Sequence, residues 1–316
     1  MKNEILRRLS ALALGLALLL NAAPLPQAFA VEDDTDASSS DSADSTDTTD
    51  KTVVTTADND PTVTAAAANA PALDATAALL VSPESDMVLY EKNADEKRYP
   101  ASTTKIMTAL LTLENVSDLS AVVTAEASDF ENVTADSSNA GIKVGEQVTV
   151  KDLLYALMLP SANEAAYMLA RHVGGSWEQF VDMMNERAAE LGCTGTHFCN
   201  PCGLHEDDHY TTAHDLYLIA KEAMKDATFR DIVSTVQHRM AKTNLHEERI
   251  ILTTNQLIFS SFQPWSYANC LGIKTGHTSQ AGNCFVGYAE YGDAKLFSVV
   301  LGCSSSSKEY PTVAAS

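Results

Sequence analysis

The spacing of apolar residues changes twice along this chain, and that change constrains the fold more than any other feature. "TAALLVSPESDMVLYEKN", Thr76 to Asn93, is two short apolar runs around the polar turn "PESD", a strand-turn-strand pattern. The stretches "TTKIMTALLTLENV", "KDLLYALML", "ANEAAYMLARHVG", "SWEQFVDMMNERAAELG" and "TAHDLYLIAKEAM" then place apolar residues near i, i+3 and i+4, the spacing of one helix face. From Asn269 to Cys303, "NCLGIKTGHTSQAGNCFVGYAEYGDAKLFSVVLGC" returns to strand-like runs with "SQAG" and "YGD" as turns. Strands at both ends of a helical middle predict an α+β domain, in which one antiparallel sheet is flanked by helices and a helical subdomain is inserted between its strands.

That domain occupies about 72–316, a length that a single core can fill. What precedes it reads differently. Met1 to Ala30 has the basic lead Lys2, Arg7 and Arg8, an apolar run from Leu9 to Leu20 and the closing "QAFA", the pattern of a cleaved secretory signal. The apolar run is shorter than the roughly 20 residues that a bilayer-spanning helix needs. No cysteine follows the cleavage site, so a lipid anchor is not indicated, and the sequence shows no evident membrane anchor. Residues 31–71, centred on "DDTDASSSDSADSTDTTD", hold almost no large apolar side chain and read as a disordered acidic linker. This linker carries much of the chain's net charge of −21. No Lys/Arg cluster with interleaved aromatics appears, which argues against nucleic acid as a partner.

One lysine stands out in the helical region. In "YPASTTKIMTALLTLE" Ser102 and Lys105 are three apart, so a helix beginning at or just before Ser102 would set them side by side. Pro100 and Ala101 suit such a start. A serine hydroxyl needs a base within reach to act as a nucleophile, and a lysine can be that base if burial or a neighbouring cation lowers its pKa. Ile106, Met107, Ala109 and Leu110 would supply the apolar surroundings. Taken alone, Ser-x-x-Lys is also the pattern of a serine cap followed by a solvent-facing lysine.

Two further stretches bear on the choice. "LMLPSANEAAYML" puts Ser161 and Asn163 at a loop-to-helix junction, where Ser161 by itself reads as a helix cap. "GIKTGHTSQAG" puts Lys274, Thr275 and Gly276 in a strand, where the first two by themselves read as its solvent face. The glycine is out of place there unless something approaches the backbone closely. In the order Ser-x-x-Lys, Ser-x-Asn, Lys-Thr-Gly, the three form the signature set of penicillin-binding proteins and class A β-lactamases.

From about Ala78 to Cys303 the chain resembles the low-molecular-mass penicillin-binding proteins, serine-type D-alanyl-D-alanine carboxypeptidases of peptidase family S11. The resemblance rests on "YPASTTKIMTALL", "LMLPSANEAAYMLA", "HFCNPCGLHEDDHYTTAHDLYLIAKEAM" and "GIKTGHTSQAGNCFVGYAE". The Glu-x-x-Leu-Asn loop of class A β-lactamases is absent from the third of these, so efficient antibiotic hydrolysis is not expected. The resemblance implies a penicillin-binding protein/β-lactamase-like fold and no cofactor. It implies peptidoglycan stem peptides ending in D-Ala-D-Ala as substrates, β-lactams as covalent inhibitors, and a place in the cell envelope of a bacterium. It further implies that Ser102 is the nucleophile and Lys105 its base, while Ser161 and Asn163 relay a proton and hold the acyl chain. Lys274 and Thr275 would bind the terminal carboxylate, with Lys274 helping to keep Lys105 neutral. The oxyanion would lie between the backbone N–H groups of Ser102 and His277, the residue that follows Gly276. An endopeptidase acting on D-alanyl cross-links, or a sensor that acylates without turnover, would carry the same motifs.

His197, His205, His209 and His214 lie among Asp207, Asp208 and Asp215, a composition that could suggest a metal, but the resembling family segment is a metal-free loop. Six cysteines (193, 199, 202, 270, 284 and 303) allow up to about 15 disulfide connectivities or a reduced set, and the sequence does not choose. Relatives continue past the last strand into a helix that covers one sheet face. Ser316 falls where that helix would begin, so the expectation is a domain short of its last helix, or one whose Ala-rich segment before Ala78 covers that face. "LGCSSSSKE" lacks the arginine that some relatives carry there, which would leave the carboxylate to Lys274 and Thr275 alone.

Overall fold

The computed structural model describes residues 73–134, 137–259 and 266–304, together with the backbone of Thr52 and Val53. The expected signal at Met1–Ala30, nearly all of the expected linker at 31–71 and the segment after Ser304 lie outside the described residues. In chain order, β1 (Thr52–Val53), β2 (Ala77–Ser82) and β3 (Met87–Lys92) are followed by a 3₁₀ turn at Ala101–Thr104 that runs directly into α1 (Lys105–Asn115). Then come β4 (Val122–Thr124), β5 (Gln147–Thr149), α2 (Val150–Met158), α3 (Asn163–Gly174), α4 (Trp177–Glu190), α5 (Ala213–Ala223) and α6 (Ala227–Val233). The chain closes with β6 (Gln237–Met240), β7 (Arg249–Leu252), β8 (Cys270–Thr278), β9 (Gly282–Tyr291) and β10 (Ala294–Cys303).

The expected sheet is present. Its order is β1-β3-β2-β10-β9-β8, antiparallel throughout, with β2 and β10, far apart in the chain, side by side at its centre and β8 at one edge. The turns at Pro83–Asp86, Ser279–Ala281 and Gly292–Asp293 fall where the polar clusters put them. Successive strand residues face opposite sides. Leu79 and Val81 therefore join the main core with Val299 and Val286, while Leu80 joins Ala289 and Leu296 in a small apolar cluster on the other face.

α5 packs on β2, β9 and β10; α1 packs on α5, and α2, α3 and α4 pack on α1. This makes α1 the central helix, and its sequence shows it: Ile106, Met107, Ala109, Leu110 and Leu111 are all buried, so apolar residues surround the axis rather than forming one stripe. The two buried threonines of α1 are satisfied locally, Thr108 donating to the Pro201 carbonyl at 2.6 Å and Thr112 to the Thr108 carbonyl at 2.7 Å. Side-chain caps fix the starts of four helices, from Thr149, Ser176, Thr212 and Asp226. The short helix α6 and the two-stranded sheets β4–β5 and β6–β7 were not anticipated, because segments of three to seven residues are too short to show a period. Among the described residues no helix is long and apolar enough to cross a membrane, and all six cysteines are unpaired.

Candidate active site

Three parts of the fold meet at Ser102. The first is the 3₁₀ turn that carries Ser102 into Lys105 at the start of α1. Ser102 thus precedes the α-helix instead of lying within it, and the i, i+3 pairing expected from the sequence survives because 3₁₀ and α geometry both set such residues on one side. Ala101, just before the serine, adopts φ +48°, a left-handed conformation that costs a non-glycine residue on the order of 1 kcal/mol or more and persists only where its surroundings enforce it. The second part is the junction between α2 and α3, where Ser161 at φ +68° and Asn163 enter the cleft. The third is edge strand β8, which runs alongside the turn.

Lys105 is fully buried, and its Nζ sits among three oxygens: Ser102 Oγ at 3.0 Å, Asn163 Oδ1 at 2.8 Å and the Cys202 carbonyl at 2.6 Å. The last two can only accept. A neutral amine has two N–H bonds and one lone pair, so donating to both of them leaves the lone pair for the hydroxyl proton of Ser102. Burial lowers the Lys105 pKa from the ordinary 10.5 to about 8, opposed by the Cys202 thiol and by the Glu164 carboxyl. The alternative of a surface lysine after a serine cap is thereby overturned.

Ser161 is equally plain. The residue at the cap position of α3 is Ala162, and the buried Ser161 Oγ has no hydrogen-bond partner in the structure, so Ser161 does not cap the helix. Its hydroxyl remains available to a bound molecule.

On β8, Lys274 is buried and donates to the Thr275 carbonyl at 2.9 Å. Its pKa lies well below the ordinary lysine value, first from burial and then from the charge of Lys105. The coupling between the two amines is mutual: a charge on either one disfavours the ammonium form of the other. Gly276 explains itself: a Cβ built there would lie 2.9 Å from Ser102 N and 3.1 Å from Thr103 N, so only glycine lets the strand lie against the nucleophile's backbone. The exposed His277 directs its imidazole to Asn283 Oδ1 at 3.0 Å on β9.

The sequence reading missed two contributors. The Cys202 carbonyl comes from the loop after α4, where Asn200 Oδ1 accepts from the N–H groups of Cys202 and Gly203 and shapes the turn. Gly203, at φ +85°, has no room for a Cβ, which would fall 1.9 Å from the Ala101 carbonyl oxygen. The run Asn200-Pro201-Cys202-Gly203-Leu204 was the available signal. The second is Thr254, whose Oγ1 lies 2.6 Å from Thr275 Oγ1, so Thr275 does not stand on its strand with Lys274 alone. The histidines are dispersed in their contacts. His197 bonds the Asp208 carbonyl, His214 pairs with Asp95, and His209 is buried against Thr104. Among the described residues no group of three or more His, Cys, Asp or Glu side chains converges as a metal site.

The chain is also similar to known proteins of one family. A family model described as D-alanyl-D-alanine carboxypeptidase matches residues 64–305. The D-alanyl-D-alanine carboxypeptidase DacF of Bacillus subtilis is 34% identical over 230 residues, covering 72% of this chain and 57% of that protein. The D-alanyl-D-alanine carboxypeptidase of Streptomyces sp. strain K15 is 37% identical over 230 residues, 69% of this chain and 77% of its own. The chain thus spans little more than half the length of the Bacillus relative. The crystal structure of the Streptomyces K15 DD-transpeptidase superposes with a TM-score of 0.68 at 35% identity, covering 74% of this chain and 92% of that one. Sequence, fold and the arrangement around Lys105 converge on one statement: this chain belongs to the D-alanyl-D-alanine carboxypeptidase family, peptidase family S11.

Proposed function

We propose that the protein is a serine D-alanyl-D-alanine carboxypeptidase that removes the terminal D-alanine from peptidoglycan stem peptides and is acylated by β-lactams. The observation that carries this reading is the Lys105 amine, buried among Ser102 Oγ, Asn163 Oδ1 and the Cys202 carbonyl. Lys105 takes the hydroxyl proton as Ser102 Oγ attacks the carbonyl carbon of the penultimate D-alanine. The C–O bond forms and the carbonyl becomes an oxyanion, which accepts from the backbone N–H groups of Ser102 and His277. Donors fixed before the charge develops contribute roughly 3 to 4 kcal/mol each to lowering such a barrier. Collapse breaks the C–N bond, and the leaving amine takes a proton through the unpartnered Ser161 hydroxyl. Free D-alanine departs, and water then releases the shortened peptide by the reverse proton path.

Lys274 and Thr275 bind the substrate's terminal carboxylate, with Thr254 beside them. An arriving carboxylate favours the ammonium form of Lys274. A leader at Met1–Ala30 exports the enzyme to the bacterial cell envelope, where this substrate lies. The test is a product assay on a free pentapeptide and on a cross-linked muropeptide. Release of D-alanine from the pentapeptide supports the reading. Cleavage of the cross-link alone would make the protein an endopeptidase, and acylation without product would make it a sensor.

A further inference from the structure

The nucleophile's turn is held from behind by a group that the chemistry above does not use. His209 lies in the loop between α4 and α5 and is 2% exposed. Its Nδ1 accepts from the Cys199 backbone N–H at 3.0 Å, which places the ring proton on Nε2. Nε2 lies 2.8 Å from Thr104 Oγ1, so the ring donates to that hydroxyl. Thr104 stands between Ser102 and Lys105 and occupies the cap position of α1, yet its side chain makes no cap bond. His209 has taken it over. Burial, with His197, His205 and Lys105 nearby, lowers the His209 pKa to about 3, so the ring keeps its single proton and its bonding pattern across the working pH range.

The same loop grips the catalytic segment at four other points. The Cys202 carbonyl accepts from Lys105, the Pro201 carbonyl accepts from Thr108, and Gly203 presses on the Ala101 carbonyl. Arg98 and Thr211 exchange backbone hydrogen bonds at 2.7 and 2.9 Å just ahead of the turn. The Lys105–Cys202 bond occupies one amine proton and so helps direct the lone pair at Ser102. It depends on the spacing between loop and turn, and His209 spans that spacing with a side chain held at both ring nitrogens.

We infer that His209 is a positioning residue for the Ser102–Lys105 pair, acting through Thr104: the imidazole ties the nucleophile's turn to the loop that supplies the Cys202 carbonyl. The inference rests on the proposed function above, since it assigns a role in Ser102 acylation.

The two ring nitrogens can be tested separately. In His209→Gln the side-chain amide reaches the place of Nε2 and can still donate to Thr104. In His209→Asn it reaches only the place of Nδ1, keeping the Cys199 contact and losing Thr104. Acylation by a fluorescent penicillin is followed in stopped flow, which separates the non-covalent binding constant from the acylation rate constant. Misplacement of reacting groups on the ångström scale costs on the order of 10²-fold. His209→Asn and Thr104→Val should therefore each lose about 100-fold in the acylation rate constant with binding changed less than about threefold, while His209→Gln retains most of the rate. The double variant His209→Asn/Thr104→Val should be no worse than either single, because both remove one interaction. Near wild-type acylation by His209→Asn, equal losses in the Asn and Gln variants, or losses that multiply in the double variant would each overturn the inference.

If the His209 variants fail to fold, Thr104→Val and the wild-type ring still decide. Nitrogen NMR of the wild-type imidazole should show the Nε2–H tautomer unchanged from pH 5 to 9; an Nδ1–H tautomer or a titrating ring would overturn the clamp. A wild-type protein that takes no label at Ser102 would instead overturn the proposed function, and the NMR result separates that failure from this one.

Discussion

If Lys105 is the base, the rate of acylation must follow its neutral fraction, and the structure sets where that happens. With the ordinary pKa of 10.5, roughly 0.03% of the amine would be neutral at pH 7; at about 8 the fraction is about 9%. Burial thus raises the working form on the order of 300-fold, equivalent to roughly 3 kcal/mol. Because the neutral form is the active one, the sign is fixed: acylation rises with pH, close to tenfold between pH 6 and 7, with a midpoint near 8 and a plateau beyond about pH 9. The assay is the second-order rate constant for acylation by a fluorescent penicillin from pH 5.5 to 10, with folding checked by circular dichroism at each end. Lys105→Arg serves as the control, since a guanidinium stays protonated. It should lose on the order of 10²-fold or more and show no rise near pH 8. A wild-type profile that is flat from pH 6 to 9, or a folded arginine variant acylating at near wild-type rate, would refute the assignment of Lys105 as the base.

Three other outcomes follow from the same geometry. Lys274→Ala should slow turnover far more on peptides with a free terminal carboxylate than on amidated ones, and equal losses in steady-state kinetics on the two substrates would remove Lys274 as the carboxylate anchor. Gly276→Ala must push β8 off the Ser102 and Thr103 backbone, so acylation should fall about 100-fold with only a small change in melting temperature; an unchanged acylation rate would show that the strand's approach does not matter. Glu164→Gln removes a buried carboxyl whose charge raises the Lys105 pKa while keeping an oxygen for the Ala140 and Ile142 N–H groups. It should therefore move the acylation midpoint to lower pH, and a shift to higher pH would contradict the electrostatic account.

The parts of this molecule that could be read from the chain are those in which side-chain type and spacing carry the information. Ile106, Met107 and Leu110 announced a buried helix around Lys105, and Gly276 announced a close backbone approach, because each is a constraint on the residue itself. The Cys202 carbonyl could not be read in this way, since every residue has a carbonyl and only the folded loop says which one meets Lys105. Thr254 stands 21 residues before Thr275 in an unremarkable polar stretch, and only the tertiary fold sets the two hydroxyls together. His209 illustrates the same limit: among several histidines and aspartates the sequence does not single out this ring, whereas the structure turns it toward Thr104.

The central claim is that Ser102 forms a covalent acyl-enzyme with a peptide ending in D-Ala-D-Ala. Mass spectrometry of the protein quenched in acid during turnover of such a peptide tests it most directly, with proteolytic mapping of the added mass and detection of free D-alanine in the same sample. The account predicts an adduct equal to the substrate less one D-alanine, confined to the peptide bearing Ser102, released with time in the wild type and absent from Ser102→Ala. D-alanine release that persists in Ser102→Ala, or an adduct mapped to any other residue, would contradict it.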